Sequence, residues 1–278
     1  MAERITRESK TQRETFPFVT VPLFEVLGKQ TRETSGIEAM YWAPLINPKE
    51  NGDDWVNYTH ANHGWLEESR MVELQTSGKT WEEKGYDVGV FSPFVHEVED
   101  SETQTIRRAS IEDKWWQPIW QTSPPVIRSE MINFNLFSDE ETRNTEGAAN
   151  ELRQGVLGRI HDYTSYSGVF TDEEQHHAFH TSLVQNVAGH DEGTHLGYSH
   201  PHVVLIQPIF EDIMDIENSK IVGHLHALIT WDRYVVNLLP EGIKGINVVI
   251  RNSCGQVHQY EIIGNSVRPQ SGFLPAGV

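Results

Sequence analysis

Residues 221–264 constrain the fold more than any other part of the sequence. An apolar run, Ile221–Thr230, comes first, and a short amphipathic segment, Trp231–Leu239, follows it. Two runs rich in β-branched residues, Ile246–Arg251 and Val257–Ile263, then flank a turn at Asn252–Gly255. Alternating β-branched residues that are bounded by Gly, Asn and Pro are typical of strands. The stretch therefore predicts a strand, a short helix and a hairpin in that order. The strands would form part of an antiparallel sheet, and the helix would pack against it.

The first 62 residues predict two helices with a strand between them. Leu23–Ser35 has a helical pattern and is followed by Gly36, a residue that commonly ends helices. Ile37–Ile46 is a short apolar run, which we interpret as a strand. Asn47 is a good N-cap, and it is followed by Pro and, two residues later, by an acid, so a helix is predicted from there to Asn62.

The middle of the chain carries weaker patterns. Residues Ser69–Phe137 have no regular pattern. Asp139–His161 is polar, and we predict loop and helix there. A capping box at Thr171 predicts a helix to about Asn186, and Val203–Pro208 predicts a buried strand. Together with the C-terminal strands, these segments predict an α+β fold in which antiparallel sheets are flanked by helices.

Charge and composition exclude some function classes. The chain has 278 residues and a net charge of −18, which opposes binding to nucleic acid or to anionic lipid. Its one cysteine, Cys254, rules out an intrachain disulfide. No run approaches the roughly 20 apolar residues of a membrane helix, and the polar first 15 residues lack a signal-peptide core. We expect either a cytosolic protein or the excised middle of a membrane receptor.

Histidine is the first candidate for chemistry, because the chain contains 14 of them. In the predicted helix His176 and His180 are four residues apart, and in the predicted strand His224 and His226 are two apart, so each pair shares a face. Both spacings suit zinc, although HHAFH lacks the Glu of a metalloprotease motif. The alternative hypothesis is therefore a metal-dependent hydrolase that uses His176, His180, His202, His224 or His226 with nearby acids.

An aromatic group is the main candidate for ligand binding. Its tryptophans stand beside hydrogen-bonding side chains, and small-molecule pockets combine these two residue types. The competing interpretation is that the tryptophans fill the core. The predicted ligand-binding residues are Trp115, Trp116, Trp120, Gln121 and Ser123.

No stretch of the sequence carries a strong catalytic or cofactor motif. Ser165–Gly168 does not match the nucleophile elbow, and Gly242 and Gly245 follow a proline, as turn glycines do. The sequence thus predicts a domain that is not an enzyme and needs no cofactor.

Five segments in a fixed order carry a family resemblance. They are FPFVTVPLFEVLGKQTRETSGIEAMYWAPLI (16–46), WVNYTHANHGWLEES (55–69), WWQPIWQTSPP (115–125), HPHVVLIQPIFEDI (200–213) and WDRYVVNLLPEGIKGINVVIRNSCGQVHQYEIIG (231–264). In this order they resemble the extracellular sensor region of receptor-type guanylate or adenylate cyclases of unicellular algae such as diatoms. The first segment also resembles the start of a CHASE-type sensor domain, and the last resembles a PAS-like module.

The resemblance implies a division of the chain and a role in signalling. It implies an N-terminal lead and helix (1–36), a membrane-distal sensing part (37–200), a membrane-proximal PAS-like part (201–264) and a tail (265–278). The implied function is a ligand-sensing ectodomain on the extracellular face of a membrane. It would form a homodimer through its N-terminal helix, bind an unknown small molecule and signal to an intracellular cyclase domain that is absent from this chain.

Overall fold

The computed structural model describes most of the chain and confirms the predicted α+β class. Its helices flank antiparallel sheets. The described residues are 1–12, 15–78, 83, 91–100, 105–125, 131–162, 201–230, 234, 239–243, 245–253, 255–264 and 266–269.

Five helices are found among these residues, and their ends follow ordinary capping rules. Gly36 ends the second helix with a positive φ of 76°, and the Asn47 side chain accepts a hydrogen bond from the Lys49 amide at 3.2 Å as an N-cap. Both features confirm sequence predictions. The helices are α1 (Ala2–Gln12), α2 (Phe24–Ser35), α3 (Pro48–Asn62), α4 (Trp65–Ser77) and α5 (Glu140–Leu152).

The fourth helix corrects the expectation that the chain is irregular from Ser69 onwards. It begins after Gly64, which makes no side-chain cap, so the sequence offers no start signal. Packing compensates for the missing cap, because Trp65 and Leu66 in its first turn are buried.

Five strands form the central antiparallel sheet. They are β1 (Ala39–Pro44), β4 (Gln121–Ser123), β5 (Val156–Asp162), β6 (Pro201–Phe210) and β7 (Ile221–Thr230). Across the sheet the order is β4-β1-β7-β6-β5, so β7 lies in the middle with β1 and β6 as neighbours. The strands predicted at Ile37–Ile46, Val203–Pro208 and Ile221–Thr230 are confirmed as β1, β6 and β7.

Two smaller sheets accompany the central one. The first is a ribbon of β2 (His96–Asp100) and β3 (Thr105–Arg108). The second joins β8 (Ile246–Arg251), β9 (Val257–Ile263) and β10 (Ser266–Pro269) in the order β10-β9-β8. The hairpin of β8 and β9 has the strand limits that the sequence predicted, whereas β10 lies in the segment that was expected to be a tail.

The two faces of the central sheet differ because neighbouring residues of a strand point in opposite directions. Trp42 of β1 pairs with Leu225 of β7, and both belong to the main apolar core with Trp55 and Trp120. The adjacent residue Tyr41 pairs with His226, and this second face carries polar side chains.

Helices cover both faces. On the apolar face α2 approaches β4 so closely that a Cβ at Gly28 would lie 2.2 Å from the Ser123 hydroxyl oxygen. Arg32 of the same helix donates to that hydroxyl at 3.0 Å and to the buried Glu25 carboxylate at 3.0 Å. On the polar face lies α5, whose Thr145 hydroxyl would be 3.4 Å from a Cβ at Gly158 of β5.

Several sequence predictions remain outside the described residues or are not settled by them. The helix predicted from Thr171 is outside, and most of the one predicted at Trp231–Leu239 is outside as well. The predicted boundary between residues 200 and 201 is spanned by the central sheet, which takes strands from both sides. None of the described helices has the length and apolarity needed to cross a membrane.

Candidate functional site

Two histidines of β7 lie on the polar face of the central sheet. His224 and His226 are two residues apart in the strand and so share a face, as the sequence predicted. Both side chains are fully buried. The Tyr41 ring stacks on the His226 imidazole with centroids 4.8 Å apart and an interplanar angle of 14°. The sheet and this tyrosine thus fix the orientation of the imidazoles.

Helix α5 brings a carboxyl group and an amide to these histidines. Its N-terminus is fixed by Asp139, whose side chain accepts a hydrogen bond from the Thr142 amide at 2.7 Å. Glu146, Ala149 and Asn150 follow at the spacing of one helix face, and the first two are fully buried. This face of α5 contacts the histidine face of β7, because Asn150 and Glu146 reach His224 and His226 respectively.

The fifth member of the site, Gln117, comes from the segment before β4. Its backbone amide donates to the Asn135 side chain at 2.9 Å, and its carbonyl accepts from the Leu136 amide at 2.9 Å. Its side-chain nitrogen lies 2.7 Å from His224 Nδ1 and 3.5 Å from His226 Nε2. We call Gln117, Glu146, Asn150, His224 and His226 the sheet cluster.

The hydrogen bonds of the sheet cluster define the tautomer of His224. Its Nε2 lies 2.7 Å from Oδ1 of Asn150, an oxygen that can only accept, so Nε2 carries the proton. Nδ1 therefore keeps its lone pair and accepts from the Gln117 amide. His226 Nε2 lies 3.2 Å from Oε1 of Glu146, which is ion-pair distance but does not give hydrogen-bond geometry.

Burial favours the neutral forms of the titratable groups. It raises the pKa of Glu146 to about 8, although the neighbouring His224 opposes this shift. It lowers the pKa of His224 to about 4 and that of His226 to about 3. At neutral pH the sheet cluster is therefore a protonated carboxyl group beside two neutral imidazoles.

Four polar atoms of the sheet cluster have no hydrogen-bond partner in the protein. They are Oε1 of Gln117, both carboxyl oxygens of Glu146 and Nδ1 of His226. A buried polar atom without a partner costs about 1–3 kcal/mol of stability, so native structures contain few. Their concentration at one place marks the sheet cluster as a candidate for function rather than for packing.

The donor set of the sheet cluster suits a transition metal. Glu146, His224 and His226 are the only three potential ligands that come together among the side chains described here, with ligand atoms within 4.8 Å of one another. Two imidazoles and a carboxylate form a common set for zinc and for ferrous iron. All three side chains are buried, so an ion bound by them would be shielded from bulk solvent.

No protein-family model matches this chain, and no curated protein matches it significantly.

The aromatic group predicted to bind a ligand is placed mainly in the core. Trp116 and Trp120 are buried, whereas Trp115 is 38% exposed. The Gln121 amide accepts from and donates to the Val21 backbone, and the indole nitrogen of Trp120 donates to Thr20 at 2.9 Å. The polar groups of these side chains, and the Ser123 hydroxyl, thus form hydrogen bonds within the protein. Ligand binding by the five predicted residues stays a prediction.

The histidines of the alternative metal hypothesis are only partly brought together. His224 and His226 lie in the sheet cluster. His202 lies on β6, where its backbone is paired with Thr230 of β7. Its side chain is outside the part of the chain that the structure describes. His176 and His180 are also outside the described residues.

Sequence reasoning missed three members of the sheet cluster, namely Gln117, Glu146 and Asn150. Glu146 and Asn150 stand at i and i+4 around a buried alanine in a polar segment, and this spacing was the available signal. Nothing in the sequence indicates that α5 covers β7, because Glu146 and His224 are 78 positions apart in the sequence. Gln117 stands between tryptophans and prolines, where the aromatic residues dominate the pattern.

Proposed function

We propose that this chain is a ligand-sensing domain of PAS-like, CHASE-related architecture. In the parent protein it would be the ectodomain of a membrane-bound receptor cyclase and would pass a binding signal to an intracellular cyclase domain. The proposal places it outside the cell and gives it no catalytic step of its own. Three kinds of observation support it: the order of sequence segments, the order of the strands and the sheet cluster.

The strand order supports the PAS-like part of the proposal. Counted in chain order within the central sheet, β1, β4, β5, β6 and β7 are strands one to five. Across the sheet they follow one another as second, first, fifth, fourth and third. This order, with all neighbouring strands antiparallel, is compatible with the PAS-like architecture that the sequence resemblance implies. The likeness is one of fold, so function must come from the site.

The observation that carries the proposal is the sheet cluster. Small-molecule sites are mainly apolar and contain a few polar groups that are already held in place. Here four polar atoms without partners lie in buried surroundings between the central sheet and α5. A guest that supplied the missing hydrogen bonds would bind favourably at the sheet cluster. It would also shift the domain towards the conformation to which it binds more tightly.

The N-terminal helix offers a route for the signal. The Thr6 hydroxyl of α1 donates to the Phe210 carbonyl at the end of β6 at 2.9 Å, and Lys10 of α1 pairs with Asp212 at 3.2 Å. β6 pairs with β7, which carries both histidines of the sheet cluster. A change in the position of β7 on binding would therefore reach α1 through one strand.

The proposed homodimer would use the N-terminal helices. An open groove of ≈ 370 Å³ separates α1 from α2 and is lined from both helices. Leu23, just before α2, and Val26 within it are exposed, at 48% and 41%. Exposed apolar side chains on terminal helices suit contact with a second copy.

A metal-dependent hydrolase is the second candidate, and the donor set of Glu146, His224 and His226 favours it. A catalytic metal needs an open position that substrate and water can reach. All three side chains are fully buried, so a large substrate could not reach an ion that they bind. This favours sensing over hydrolysis.

A thermal-shift screen of metabolites tests the proposed function. The purified chain is treated with a chelator and screened with small polar molecules, and each compound is recovered and checked for chemical change. A sensed ligand raises the melting temperature with a logarithmic dependence on its concentration and is recovered intact. Gln117→Ala should weaken its binding, whereas His60→Ala, at an exposed position of α3 outside the sheet cluster, should not. A compound that is consumed would support the hydrolase, and a screen without stabilising compounds would contradict sensing.

A further inference from the structure

We propose that Glu146, His224 and His226 form a binding site for one divalent transition-metal ion of the zinc class. The site goes beyond the sensing function, because a small-molecule sensor needs no metal. It also differs from the hydrolase hypothesis, because the ion would be enclosed rather than open to substrate. It joins two elements, since β7 supplies the imidazoles and α5 supplies the carboxylate.

The first argument is the orientation of His224. Asn150 Oδ1 accepts the Nε2 proton at 2.7 Å, which leaves the Nδ1 lone pair on the side of Gln117 and His226. Metal-bound histidines have such an arrangement, in which an outer oxygen acceptor holds one ring nitrogen and the other binds the ion. The ligand atom is thus already turned towards the sheet cluster before any ion arrives.

The second argument is the lack of partners at the carboxylate. Neither buried oxygen of Glu146 makes a hydrogen bond of normal geometry, although the Gln117 amide approaches the carboxyl group, and Oε1 lies 3.2 Å from His226 Nε2. A carboxylate that is buried without partners is costly. A cation between the carboxylate and the imidazoles would provide the missing positive charge.

The distances require only local adjustment. The ligand atoms lie within 4.8 Å of one another, whereas two ligands of a tetrahedral zinc ion are about 3.4 Å apart, given bonds of about 2.1 Å. Small rotations of the Glu146 and His226 side chains would close this difference. Turning the Gln117 amide over, with a small shift away from His224 Nδ1, which now lies 2.7 Å from Gln117 Nε2, would supply its oxygen as a candidate fourth ligand.

The donor set decides the class of ion. Calcium and magnesium prefer sites built from several oxygen ligands. Two imidazoles with one carboxylate favour zinc, ferrous iron and related first-row ions. Cobalt(II) is therefore a suitable probe, because it takes zinc-type sites and absorbs visible light when imidazole binds it.

The test is a cobalt(II) titration of the chelator-treated chain without any small molecule. Glu146→Gln keeps the size of the side chain and removes the charged ligand, and Asn150→Ala removes only the acceptor that orients His224. His60→Ala is the control, because His60 is exposed on α3 and the chain has 14 histidines that can bind metal weakly. Circular dichroism verifies that each variant is folded.

We expect one tightly bound ion per chain, with visible absorption and displacement by zinc. Glu146→Gln should weaken binding by at least about 100-fold and Asn150→Ala by about 10–100-fold, while His60→Ala should leave it unchanged. The proposal is overturned if all four proteins bind equally, or if the folded wild-type chain binds no ion at a one-to-one ratio. The metabolite screen contains chelator, so a failure of one test does not imply a failure of the other.

Discussion

At the residue scale, Glu146 shows how position alone determines the chemistry of a side chain. The residue is one of 40 acids in a chain of net charge −18. Helix α5 removes it from water and places it beside two imidazoles that burial keeps neutral. The carboxyl group can then hold a proton near neutral pH or bind a cation, and both roles are rare for a surface acid.

The raised pKa of Glu146 predicts how the stability of the metal-free protein depends on pH. Between about pH 4.5 and 8 the unfolded chain loses this proton while the folded chain keeps it. The free energy of unfolding therefore falls as the pH rises, by at most about 1.4 kcal/mol per pH unit. His224 and His226 act in the opposite direction below pH 6.5, because only the unfolded chain takes up their protons there.

Urea unfolding at several pH values, in the presence of a chelator, measures this effect. The wild-type chain should lose stability relative to Glu146→Gln as the pH rises from 6.5 to 8, and the difference should level off above pH 8. All other titrating groups are common to both proteins and so do not affect the difference. A difference that stays constant from pH 6.5 to 9 would show that Glu146 is ionised in the folded protein.

At the scale of elements, two helices lie on opposite faces of the central sheet and each contains a glycine. Gly28 of α2 faces β4, and a Cβ there would lie 2.2 Å from Ser123 Oγ and 3.5 Å from Met40 Sδ. Gly147 of α5 is next to Glu146 but has no atom within 4 Å of the position of its Cβ. The close contact of α2 with the sheet therefore depends on a glycine, whereas the contact of α5 does not.

Alanine substitution of these glycines separates helix propensity from packing. Both changes favour the helix by roughly 0.5–1 kcal/mol, since glycine is a poor helix former. Gly147→Ala should therefore raise the free energy of unfolding. Gly28→Ala should lower it by about 1–3 kcal/mol, because overpacking exceeds the gain in propensity. Urea denaturation of both variants gives the comparison, and equal stabilisation by the two substitutions would contradict the described contact between α2 and β4.

The same elements show what a sequence can reveal. The end of α2 at Gly36, the start of α3 at Asn47 and the hairpin of β8 and β9 all follow from local rules, and the sequence predicts them. Helix α4 has no side-chain cap and gains its stability from buried residues such as Trp65. Tertiary packing of this kind is not visible in a local pattern, so the helix was missed.

The members of the sheet cluster also differ in whether a local sequence pattern predicts them. Strand alternation was enough to predict that His224 and His226 share a face, because this depends on two neighbouring positions in one element. Glu146 and Gln117 reach the histidines only through the folding of distant segments onto the sheet. The sequence therefore predicted two of the five members of the sheet cluster, and the three-dimensional arrangement supplied the other three.

At the scale of the whole molecule, the central sheet connects the sheet cluster with the N-terminal helix. Strands β6 and β7, from residues 201–230, lie side by side between strands from residues 39–162, so a change at β7 affects both parts of the chain. On the apolar face the tryptophan core holds the sheet to α2 and α3. On the other face α5 covers a polar and incompletely paired surface. We infer that α5 is the element that responds to a guest.

Hydrogen exchange with and without the ligand found in the screen tests this central claim most directly. Amide exchange is measured by mass spectrometry over the whole chain, at saturating ligand and at equal pH. The account predicts that slower exchange concentrates in α5, residues 140–152, and in β7, residues 221–230, with a smaller effect in α1. Protection confined to β8–β10 or to the segment around Trp115, with α5 and β7 unchanged, would contradict it.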